Sequence, residues 1–114
     1  MPERANRRSP IGEREQSVED YLDEQVRLAG GETRKLSWLG RRNANDRLVL
    51  LPTTARHPVV EVKKRGLAAT FPRPGDAHEQ AQWREHCRLR AAGFEVWVID
   101  SKQGVHDVIE GKMP

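Results

Sequence analysis

The chain has 114 residues and 13.0 kDa, enough for one ordinary domain and too little for two independent cores. No wholly apolar run exceeds the four residues of Leu48-Val49-Leu50-Leu51, too short for a membrane-spanning helix or a secretory leader. Cys87 is the only cysteine, which excludes a disulfide framework and leaves a structural zinc site without ligands. The formal net charge is +3, and 15 of the 20 basic residues are arginine. The chain reads as cytosolic, and since arginine's planar fork of donors suits phosphate oxygens, a nucleic-acid-directed domain is a candidate beside an ordinary soluble domain with the same charge balance.

Residues 1–16 carry Pro2, Pro10, scattered charges and little apolar surface beyond Ile11, and read as a flexible arm ahead of a domain spanning 17–114. Ser17 and Asp20 have the spacing of a capping box, and Val18, Leu22, Val26 and Ala29 recur at helical spacing before Gly30-Gly31. Glu19 falls at the edge of that helix's apolar stripe. A short extended stretch over Thr33–Trp38 leads into a basic loop, Gly40-Arg41-Arg42. Asp46–Leu51 and Val59–Lys63 then form two strands joined by a turn from Pro52 to Pro58. A symmetric hairpin over this turn sets Asp46 opposite Glu61, and alternation puts Glu61 and Lys63 on one face with Val60 and Val62 on the other.

After a loop over 66–75, Asp76 and Glu79 mark a second capped helix, which continues through Ala81, Gln82, Trp83, Cys87, Leu89 and Ala92 to Gly93, with Trp83 read as a core or interface aromatic and Cys87 as a small core side chain. Phe94–Ile99 reads as a buried, central strand parallel to the one bearing Glu61, with Trp97 in the core. A short helix follows within Ser101–Met113. The fold class expected is α/β: a small mixed β-sheet flanked by helices, in the order α-β-β-β-α-β with a terminal helix.

The chemistry-bearing residues converge in this arrangement. Carboxylates from Asp46 and Glu61 are hard oxygen donors of the kind Mg²⁺ takes alongside substrate phosphate. Lys63 beside them can stabilise developing charge. Glu-x-Lys alone is a weak signal; it also occurs at Glu110-Gly111-Lys112, and taken alone a surface ion pair explains it better. The longer pattern is more specific. Gly40-Arg41-Arg42-Asn43-Ala44-Asn45-Asp46, then Glu61-Val62-Lys63, then Gln82-Trp83-Arg84-Glu85-His86 and Leu89–Val96 resembles the VRR-NUC family, virus-type replication-repair nucleases of the PD-(D/E)XK superfamily. The likeness runs from about Ser17 to Ile109, and departs from the family at Asn45, where proline is usual.

The resemblance implies a restriction-endonuclease-like core and a stand-alone, phage-type enzyme in the cytoplasm of a bacterial host. It makes Asp46, Glu61 and the Val62 carbonyl the ligands of Mg²⁺ or Mn²⁺, Lys63 the catalytic lysine, and Glu19 a helix-borne support to the metal site or the lysine. Gln82 matches the family glutamine, with Gln80 the neighbouring alternative. The implied activity is metal-dependent, structure-selective DNA endonuclease action, on four-way (Holliday) junctions in some relatives that work as homodimers in DNA repair. Arg41, Arg42 and Arg47, flanking the acids, are read as phosphate contacts. A non-catalytic nucleic-acid-binding module on the same fold is the competing reading.

Overall fold

The computed structural model describes residues 15–36 and 47–112. In chain order these form α1 (Glu15–Leu28), β1 (Glu32–Lys35), β2 (Arg47–Leu50), β3 (Val59–Val62), α2 (Ala77–Ala91), β4 (Val96–Ile99) and α3 (Lys102–Glu110). The sheet order is β1-β2-β3-β4, antiparallel except for the parallel pair β3 and β4, so the expected mixed α/β sheet is what forms. Arg41, Arg42, Asp46 and Trp38 lie outside the described residues, as does most of the expected arm.

Alternation of side chains along the strands sorts the core into two layers. Val49, Val60, Val62, Trp97 and Ile99 face α1 and α3, where Val18, Leu22, Val26, Val105 and Val108 cover them completely. Val59 and Val96 face α2 and meet Leu89. Both faces of β3 are therefore covered, which explains a strand of valines interrupted only by Glu61. Trp97 is buried as expected, but β4 is the outer strand of the described sheet and not a central one. Its cover comes from the helix layer rather than from flanking strands.

Local chemistry sets the element boundaries. Gly31 turns the chain from α1 into β1 so tightly that a Cβ there would collide with the Leu50 carbonyl oxygen. The β2–β3 register pairs Arg47 with Val60 and Leu48 with Val59, the register of a hairpin centred on Thr53-Thr54. Ser101 caps α3 by accepting from Gly104 N at 3.1 Å, and Gly111 closes it in the left-handed region. Arg56 donates to the Val108 and Ile109 carbonyls at the end of α3 while its guanidinium pairs with Glu95 on the approach to β4. One boundary differs from expectation. Glu15 and Gln16 already belong to α1, so Ser17 lies inside the helix and cannot cap it.

Candidate active site

β3 presents Glu61 toward α2, and the chain continues far enough to place Lys63 on the same side, anchored by its backbone N–H to Ile99 O at 2.8 Å. The next segment is pinned by Asp100, whose Oδ2 accepts from Gly66 N at 2.8 Å and Ala68 N at 3.2 Å. α2 completes the site. Its buried positions are Glu79, Gln82, His86 and Leu89, a helical stripe with polar groups at three of four places.

Gln82 bridges the strand pair. Its Oε1 accepts from Lys63 Nζ at 2.7 Å, and its Nε2 donates to Glu61 Oε2 at 3.1 Å. Lys63 Nζ also lies 3.8 Å from Glu61 Oε2 and 3.5 Å from Glu79 Oε2. On the far side of Glu61, His86 Nε2 stands 3.5 Å from Oε1. Phe71 roofs the lysine with its ring centroid 5.1 Å from Nζ and packs on the His86 ring. Glu61 is 3% exposed and Lys63 9%, so the pair is held inside the protein and not displayed on a strand surface. Gln80, the alternative glutamine, turns away and donates to Arg73 O.

Other expected site residues are placed elsewhere. Arg47 shares the face of its cross-strand partner Val60, which is the α1 side of the sheet, opposite Glu61. There its guanidinium meets Glu19 Oε1 at 3.3 Å and Asp23 Oδ1 at 3.0 Å. Arg47 was expected to touch phosphate, and Glu19 to support the metal or lysine; the structure brings these two to each other, since a largely buried guanidinium draws carboxylates from the helix packed on it. Among the described residues, no three His, Cys, Asp or Glu side chains are grouped so as to hold a metal ion.

A solved structure of a "VRR_NUC domain" matches this fold with a TM-score of 0.67 at 37% identity, covering 87% of this chain and 97% of that one. The chain is also 40% identical over 89 residues to "Putative nuclease p44" of Acyrthosiphon pisum secondary endosymbiont phage 1, spanning 78% of this chain and 85% of the relative. The chain belongs to the VRR-NUC family. No protein-family model matches it.

Within this VRR-NUC domain, sequence reasoning missed Glu79, His86 and Arg73 as parts of the site. Glu79 was legible only as a helix-capping residue. Asp76 does cap α2, accepting from Glu79 N at 3.0 Å, but the Glu79 carboxylate does not reach back to complete a box. It accepts instead from Arg73 N at 2.9 Å and from the Arg73 guanidinium at 3.2 Å. Conversely, Cys87, expected in the core, is exposed, and Trp83, read as a core or interface aromatic, is exposed too, because α2 turns its polar stripe and not these residues to the sheet. Trp83 packs edge-on against Phe71, with Arg90 over its ring.

Burial alone would push the Glu79 carboxyl up, yet the Arg73 backbone N–H and guanidinium, aided by Lys63, hold it below its ordinary value near 4.5. Glu95 behaves alike: burial pushes up, and Arg56 with the Trp97 indole N–H pulls it lower. A carboxyl depressed on folding stabilises the protein above its unfolded value, and that stability is lost as pH falls through the folded value. Urea midpoints should therefore fall as pH is lowered from about 4.5. The fall should be shallower in Glu79→Gln.

Proposed function

We propose that this chain is a metal-dependent DNA nuclease acting through Glu61 and Lys63. The observation that carries this reading is the buried Glu61–Lys63 pair bridged by Gln82, since a lysine and carboxylate locked together inside a domain serve chemistry better than they serve stability. Membership of a nuclease family and the nuclease named among its relatives support it.

The donor set suits a hard divalent cation. Glu61 contributes a carboxylate. Val59 and Lys63 point their N–H groups at β4, so by alternation the Val62 carbonyl points to the β2 side of β3. Asp46, which the hairpin reading of the sequence sets opposite Glu61, would give a second carboxylate. Mg²⁺ or Mn²⁺ held by Asp46, Glu61 and the Val62 carbonyl would supply an activated water and neutralise phosphate charge. Lys63 then holds a proton-bearing ammonium against the charge developing on the phosphate. Gln82 ties the lysine and Glu61 to one shared partner, which limits how far the pair can drift apart.

Arg41 and Arg42 are the proposed phosphate contacts, while Arg47 fastens α1 to β2 through Glu19 and Asp23. A two-fold homodimer would pair two such sites on one branched DNA, matching paired cuts at a four-way junction. The test is cleavage of a panel of four-way junctions, flaps and plain duplex with Mg²⁺, with Mn²⁺ and with EDTA. Branched substrates should be cut only with a divalent ion present. Binding without cleavage under every condition would favour the non-catalytic module, and cleavage in EDTA would remove the metal.

A further inference from the structure

We propose that Glu79 is a positioning residue for this reaction, holding the Lys63 ammonium at the point where Gln82 and Glu61 meet it. The inference rests on the nuclease reading above and adds a residue to it. Glu79 is 2% exposed, and an ionised carboxylate so deeply buried is costly unless cations and donors surround it. Helix capping does not account for it: Asp76 N, the donor that a capping box would satisfy, already donates to Arg73 O at 3.1 Å.

The carboxylate is instead held between two cations. Arg73 reaches Oε1 from its backbone N–H and its Nε, and touches Oε2 through Nη2 at 3.2 Å. Oε2 also faces Lys63 Nζ at 3.5 Å. Arg73 thus fixes the carboxylate, and the carboxylate fixes the lysine. The result is a row of alternating charge: Arg73, Glu79, Lys63, Glu61. Lysine carries its charge on a flexible four-carbon stem, and one bond to Gln82 does not immobilise it. When a cation draws on the charge of Glu61, Glu79 is the carboxylate left to keep the ammonium in place. Its depressed protonation, noted above, keeps it ionised for this.

The test uses Glu79→Gln, which keeps the side chain's size and its acceptor for Arg73 N–H but removes the charge. Three measurements are made on the full chain: lysine ammonium ¹H–¹⁵N correlation spectra, DNA affinity with Ca²⁺, and single-turnover cleavage of a branched DNA with Mg²⁺. The Lys63 ammonium signal, identified by its absence in Lys63→Arg, should be visible in the wild type and lost in Glu79→Gln. The cleavage rate should fall about 10–100-fold while affinity stays within about twofold. In a Lys63→Met background the same substitution should cost less than about twofold, because there is no ammonium left to place.

A wild-type ammonium signal and rate in Glu79→Gln, or an equal loss of rate in both backgrounds, would overturn the proposal. If Glu79→Gln does not fold, Glu79→Asp retains the charge for Arg73 and withdraws it from Lys63, and should weaken the signal and the rate in the same direction. Wild-type protein that cuts no DNA would sink the nuclease reading instead, and the ammonium spectrum would still decide whether Glu79 holds Lys63.

Discussion

Glu61→Gln is expected to lower the Mg²⁺-supported cleavage rate by about 10²–10³-fold while leaving a folded protein. The amide has the size of the carboxylate and its oxygen can still accept from Gln82 Nε2, so the local packing survives. What goes is the charge. A neutral amide oxygen is a poor ligand for a hard cation and no longer balances Lys63. The lysine keeps Glu79 at 3.5 Å, so it is not stranded, and the stability cost should stay at about 1–3 kcal/mol. Single-turnover cleavage beside a urea melt separates the two effects. A rate near wild type would mean that Glu61 is a structural acid and that the chemistry lies elsewhere.

Leu22→Ala is expected to show the opposite profile. Leu22 is fully buried at the middle of α1, in the layer that covers Val60 and Val62. Truncating it removes apolar contact and leaves a cavity, at a cost of about 2–5 kcal/mol. For a domain of this size that lowers Tm on the order of 10–20 °C. The cavity opens on the face of the sheet away from Glu61, so cleavage measured well below the new Tm should stay close to wild type. A thermal melt reads the first effect and a cold cleavage assay the second. A drop of only a degree or two would mean that α1 is not the cover of this sheet.

How much of this was legible in the sequence depended on whether the cause was local. The hairpin register followed from turn symmetry alone, and Arg47 pairs with Val60 as that symmetry requires. Asp76 marks the start of α2 and Gly93 its end in the sequence itself, because caps depend on one or two neighbouring residues. The facing of Glu61 and Lys63 followed from strand alternation.

The facing of α2 did not. A helix is phased by looking for its apolar stripe, and here the buried stripe is Glu79, Gln82, His86 and Leu89, so an apolar phasing wrongly turns Cys87 inward. Charged and imidazole groups read as solvent-facing unless the partners that satisfy them are known. Those partners, Arg73, Lys63 and Glu61, come from segments that only the folded chain brings together. The same applies to Arg47, which a linear reading sees beside a basic loop and the fold sets against Glu19 and Asp23 of α1.

β1 closes one side of the described sheet with Glu32-Thr33-Arg34-Lys35, and all but Thr33 are solvent-exposed. Glu32 and Arg34 pair along the strand at 2.6 Å. A rim so densely charged is a poor template for another chain's backbone, because adding a strand would strip water from these ionic groups. Aggregation by strand addition at this rim is thereby discouraged.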